Sequence, residues 1–170
     1  MNELQRREHS GRRPPVGRGW LGLFAGATAL VSTIGGLVTR GGRGRWYRGL
    51  RKPAGQPPPQ VFGPVWTTLY ALMSWSAFRI FRAPPSPERT RALRIWWTQL
   101  ALNGSWSPLF FGARRTRWAL VDLVGTAAAT VAYIRAAGRV DRLAARLMAP
   151  YLAWLGYAGY LNSGIVALNR

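Results

Sequence analysis

The chain has no cysteine, one histidine and only five acidic residues among its 170. Without cysteine there is no disulfide framework and no thiolate chemistry, and the redox state of the compartment leaves no mark on the composition. The lone histidine, His9, lies in a polar N-terminal stretch, which excludes a histidine-based metal site or catalytic triad. The acids are Glu3, Glu8, Glu88, Asp122 and Asp141. Against them stand 24 Lys and Arg, a net charge of +19, so a polyanionic partner or surface has to match the excess. Nucleic-acid binders display their basic residues on a folded polar face. Here the arginines stand at the ends of apolar runs, as contacts with anionic lipid headgroups require, so the expected partner is a bilayer and not nucleic acid.

A mean hydropathy of -0.05 resembles that of a soluble protein, but it averages over clumped charge. Residues 1–18 carry Arg6, Arg7, Arg12, Arg13 and Arg18 with Pro14, Pro15 and glycines, and predict a disordered basic tail. Residues 20–39, WLGLFAGATALVSTIGGLVT, hold no charge. They match the roughly 20 residues that cross a bilayer and exceed the apolar core of a signal peptide. Further uncharged or nearly uncharged runs follow, bounded by arginines. They predict helices at about 59–81, 94–113, 117–136 and 144–169, because backbone groups in lipid must be satisfied within the segment and the runs lack the alternation of barrel strands. The expected fold is all-α, a transmembrane domain of five helices over 19–170, with residues 40–58 as a basic, Gly- and Pro-rich first loop. The arginine distribution weakly favours an N-terminus inside the cell. Gly22 with Gly26, and Gly125 with Ala129, are small-residue pairs that admit close helix approach, or chance in a Gly- and Ala-rich chain.

Polar groups within the spans are the informative ones, since burying them costs free energy unless they are partnered. Gln99, Asn103, Trp106 and Phe110 share one helical face, as do Trp66, Tyr70 and Met73, and Tyr151, Trp154, Ala158 and Asn162. Together these faces can line one interior site. Trp20, Trp46, Trp96 and Trp118 lie near span ends and read first as interfacial belt residues. Trp66, Trp106 and Trp154 lie deeper, where a pocket role is at least as good a reading as packing. Asp122, the one carboxylate within a span, lacks a second acid, His or Lys nearby and makes a poor hydrolytic site. Pairing with an arginine or indole N–H stands ahead of direct ligand contact.

Three segments carry a family resemblance. Residues 46–73, WYRGLRKPAGQPPPQVFGPVWTTLYALM, resemble the first loop and second helix of the TspO and translocator proteins. QLALNGSWSPLFFGARRTRWALVDL (99–123) is similar to their third and fourth helices, and PYLAWLGYAGYLN (150–162) to their fifth. The resemblance implies a five-helix membrane bundle, commonly dimeric, with a pocket beneath the first loop for porphyrins such as protoporphyrin IX or heme. It also implies ligand-binding roles for Trp46, Tyr47, Trp66, Tyr70, Asn103, Trp106, Trp118, Asp122, Trp154, Ala158 and Asn162. A flat macrocycle gains from stacking on indoles, and its propionates would find Arg48, Arg51 or Lys52 in the loop. Where many relatives carry an aromatic shortly after the KP pair this chain has Ala54 and Gly55, which implies a looser lid. The sterol-recognition stretch of animal members is not matched at Ser163, Val166 and Ala167.

The expectation is a multi-pass protein of the cell membrane that senses or transports tetrapyrroles, with no resident cofactor and no metal. Two alternatives stand beside it. One is light-dependent porphyrin degradation with Trp66 and Trp154 as redox-active indoles; the other is a structural membrane protein without a small ligand.

Overall fold

The computed structural model describes residues 18–170. The expected tail, with His9, lies outside the described residues except for Arg18, which is already the first residue of a helix. All regular elements described are helical: α1 (Arg18–Gly42), α2 (Arg45–Gly49), α3 (Pro59–Arg82), α4 (Pro87–Ser107), a π-helical turn (Pro108–Gly112), α5 (Thr116–Gly138), α6 (Arg142–Arg146) and α7 (Ala149–Leu168).

Local chemistry sets the starts. Pro58 is extended and Pro59 occupies the first helical turn of α3, where a missing N–H costs nothing. At α4 the Ser86 hydroxyl accepts from the Arg89 amide at 3.1 Å, Pro87 opens the first turn and Glu88 meets the positive helix end. The helix therefore begins at Pro87, ahead of the residue 94 expected from hydropathy, because a capped polar turn precedes the apolar run. Pro108 does not end that run. The helix widens into a π turn, closed by the Ala113 amide on the Pro108 carbonyl at 2.7 Å, and Arg114 then reverses the chain at a left-handed φ of 56°.

The last expected span, 144–169, is divided in two. Asp141 caps α6 through the Leu143 and Ala144 amides at 2.8 and 3.0 Å, and α7 starts afresh at Ala149 with Pro150 in its first turn. Asp141 also ties the far end of α3, its Oδ2 lying 2.8 Å from Arg79 Nη2. Burial pushes the Asp141 carboxyl up, but hydrogen bonds from the Ala144 amide and the Arg79 guanidinium outweigh it and hold the group below its ordinary value.

Five helices have 20 to 25 residues, about 30 Å or more at 1.5 Å per residue. Around the bundle α1 packs between α3 and α4, α4 against α5, α5 against α7, and α7 closes on α3. Met73, Ile80, Trp96, Tyr133 and Tyr151 fill the centre with no exposed surface. Polar side chains share that interior: Thr28, Ser74, Ser76, Gln99, Asn103, Thr126, Thr130 and Asn162 are buried. Leu30, Leu37, Val121 and Val124 face outward, each more than 60% exposed. A water-soluble bundle would sort these groups the other way. Two segments, Gly19–Gly42 and Thr116–Gly138, are long and apolar enough to cross a membrane.

Two expectations about packing are corrected. Trp96 is not a belt residue: it is fully buried, donates its indole N–H to the Met73 carbonyl at 3.2 Å, and meets Phe24 edge-on at 5.2 Å. Its position ahead of an apolar run suggested a boundary, but the extra turns of α4 place it well inside. The Gly22 and Gly26 pair meets no neighbour, since a Cβ on either would find no atom within 4 Å. Close approach falls instead on Gly42, where a Cβ would lie 2.5 Å from that of Phe111, and on Gly164, where it would meet the Pro53 ring at 2.7 Å.

Candidate functional site

The faces of α3, α4 and α7 that share helical spacing converge near the first-loop end of the bundle. Trp66 stacks on Tyr70 with centroids 5.2 Å apart and meets Trp154 edge-on at 6.2 Å and Tyr151 at 6.4 Å. Phe62 adds a ring 5.9 Å from Trp154, and Tyr157 another at 5.5 Å. Beneath them Asn103 joins two phenols: its Oδ1 accepts from the Tyr70 hydroxyl at 2.8 Å and its Nδ2 donates to the Tyr151 hydroxyl at 2.9 Å. An amide suits this place because it carries an acceptor and a donor on two separate atoms of one short side chain, one for each phenol.

A second aromatic group lies beside it, under α2. Trp106 stacks on Phe110 at 4.8 Å, and Phe110 is approached by Trp46 at 6.0 Å and Tyr47 at 6.3 Å. The Trp106 indole donates to Asn162 Oδ1 at 3.2 Å, and Asn162 Nδ2 donates to the Thr116 carbonyl at 2.9 Å, linking α4, α7 and the start of α5. Ala158 is half-buried on α7 and packs against the main core.

Asp122 and Trp118 stand apart from these rings. The pairing expected for Asp122 with an arginine or indole is replaced by a hydroxyl: Ser105 donates to its Oδ1 at 2.7 Å, across the α4–α5 contact. Its Oδ2 is buried and has no partner among the described residues. Trp118 is 61% exposed, as expected for a belt residue.

The loop over the site is tied down by contacts that hydropathy and spacing did not reveal. Asn169, next to last in the chain, accepts from the Arg51 amide at 3.0 Å and donates to the Arg51 carbonyl at 2.8 Å. The hydroxyls of Tyr157 and Tyr160 donate to the carbonyls of Gly55 and Ala54 at 2.5 and 3.2 Å, and Pro53 rests on Gly164. The small residues after the KP pair, expected to cap loosely, are thus held through their backbone. Gln56 donates to the Tyr47 hydroxyl at 2.6 Å, and Lys52 donates to the Leu50 carbonyl at 3.0 Å with its ammonium 4.7 Å above the Tyr47 ring. Arg48 and Arg51 extend to the surface.

An open groove of about 490 Å³ runs between α1 and α3, lined by Leu21, Ala25, Thr28, Ser32, Ser74 and Trp75 among others. Of the residues expected in a pocket only Tyr70 borders it, and the Tyr70 hydroxyl is bonded to Asn103.

A sequence profile of the TspO/MBR family matches residues 24–168. The translocator protein of Sus scrofa is 45% identical over 139 residues, covering 78% of this chain and 82% of its own length. That of Homo sapiens is 42% identical over 141 residues, with coverage of 82% and 83%. The tryptophan-rich sensory protein of Cereibacter sphaeroides is 36% identical over 146 residues, 86% of this chain and 89% of its own. With the profile covering nearly all of the described helices and relatives from mammals and bacteria aligned along most of their length, the chain belongs to the TspO/MBR family of membrane proteins.

Proposed function

We propose that the protein is a membrane-embedded binding protein, a sensor or transporter, for porphyrins and similar planar hydrophobic ligands. Its five long helices each cross the bilayer, in the cell membrane, and two copies associate as a dimer. The observation that carries the ligand class is the convergence of Trp66, Tyr70 and Trp154 around the Asn103 amide, with Trp106 beside them, beneath a loop latched to α7. Indole faces reward a flat aromatic surface, and the few polar groups among them fix its orientation. The rings now pack on one another, so a macrocycle enters by replacing ring-on-ring contacts with its own stacking, and its carboxylates reach the cationic loop at Arg48, Arg51 and Lys52. The names of the relatives, translocator protein and tryptophan-rich sensory protein, support a role in moving or reporting a ligand.

Titration of the detergent-solubilised protein with protoporphyrin IX tests this reading. Saturable quenching of tryptophan emission is expected, with a clear loss of affinity in Trp154→Phe and little change in Trp118→Phe. Absence of saturation, or equal loss in both variants, defeats it.

A further inference from the structure

We infer that the far end of the α4–α5 contact is a specific site for one anionic phospholipid, its headgroup phosphate held between Arg91 and Arg139. The inference rests on the membrane reading above but not on any porphyrin. A cleft of about 150 Å³ opens between the first turns of α4 and the last turn of α5, lined by Pro87, Glu88, Arg91, Ala136 and Arg139. Both guanidiniums are exposed, and the one ion pair among the described residues is Arg79 with Asp141, so neither is matched by a carboxylate. Arg94 and Arg135 stand one turn deeper on the same two helices, also exposed. In the cleft itself two guanidiniums, Arg91 and Arg139, stand with a single carboxylate, Glu88, which sits at the positive end of α4.

What lies below the charge names the ligand. Along the outward face of α4 the exposed residues after Arg94 are Trp97, Thr98 and Ala101, and along α5 before Arg135 they are Ala132, Ala128 and Val124. Thr98 spends its hydroxyl on the Arg94 carbonyl at 3.1 Å, so this face offers acyl chains no free donor. A charged cleft followed within two helical turns by an apolar two-helix face has the polarity of an anionic glycerophospholipid, head outward and tails inward. Guanidinium binds phosphate through paired N–H donors, which a hydrated ammonium does not reproduce. A free phosphate ion would use the cleft and leave the face below unused.

Native mass spectrometry of the full chain in detergent, with equal amounts of phosphatidylglycerol and phosphatidylcholine, tests the assignment. One phosphatidylglycerol should be retained preferentially. Arg91→Gln with Arg139→Gln should weaken that retention on the order of ten- to thirty-fold, and the control pair Arg117→Gln with Arg170→Gln should leave it intact. Glu88→Gln, which removes the one repelling carboxylate, should strengthen retention, so the proposal does not hang on a loss alone. Equal retention of both lipids by the unmodified chain overturns it, as does an equal loss in the control pair. Displacement by millimolar inorganic phosphate as effective as by added phosphatidylglycerol overturns the lipid assignment in favour of a free ion. A shift between monomer and dimer in the double variant, with lipid retention unchanged, assigns the face to a second copy instead. Recovery of the chain without detergent would remove the membrane reading itself, separately from any of these outcomes.

Discussion

Asn103 is the residue on which the interior depends most directly. Its amide is hydrogen-bonded to both the Tyr70 and the Tyr151 hydroxyls, and Tyr151 has no exposed surface. Asn103→Leu strands two phenols, each at a cost of about 1 to 3 kcal/mol, and should lower the thermal midpoint of the detergent-solubilised protein by several degrees. An unchanged midpoint would show that the phenols find other partners. Asp141 gives a residue-scale pH dependence. Its folded-state pKa lies below the unfolded value, so its contribution is present above the unfolded pKa of about 3.9 and is lost as pH falls through the folded one. Between pH 6 and pH 3 the native chain should lose more thermal stability than Asp141→Asn. Parallel losses in the two proteins would mean that other carboxylates govern the acid limb.

Among the elements, α1 separates useful from idle glycines. Gly42 approaches the π turn so closely that a methyl group would collide with Phe111, whereas Gly36 has open space around its Cβ position. Gly42→Ala should therefore destabilise the protein, while Gly36→Ala should stabilise it by up to about 1 kcal/mol through helix propensity; midpoints moving in the same direction would contradict the packing. The first loop and α7 behave as a latched pair. Asn169→Ala removes both bonds to Arg51, and hydrogen exchange at the Arg51 amide should accelerate while exchange in the α4 core stays unchanged. Protection kept in the variant would mean that Tyr157, Tyr160 and the Pro53 contact suffice.

At the scale of the whole molecule, the sorting of polar groups inward and aliphatic groups outward follows from a solvent that is hydrocarbon. In the proposed five-span arrangement α3 crosses the bilayer once between the first loop and the α3–α4 connection, which puts the two on opposite sides. The absence of cysteine makes this directly measurable: Ala54→Cys and Pro85→Cys should react with a membrane-impermeant maleimide from opposite faces of sealed vesicles. Labelling of both from one face would rule out the five-crossing arrangement.

Chemical composition and periodicity determined the helical class, the approximate place of each long helix and the residue types on the inward faces, because these depend on run length and 3.6-residue spacing alone. The facing of Trp66, Tyr70, Asn103, Trp106 and Trp154 was legible for the same reason. Only tertiary structure decided that Trp96 is core, that Ser105 and not a cation pairs with Asp122, that Trp118 faces outward, and that Asn169 holds Arg51 across 118 positions of chain. The outcomes for Trp96, Asp122 and Asn169 turn on which atoms of separate segments come within hydrogen-bond reach. Spacing along one helix specifies a face, and the neighbour that face meets is set by how the helices pack.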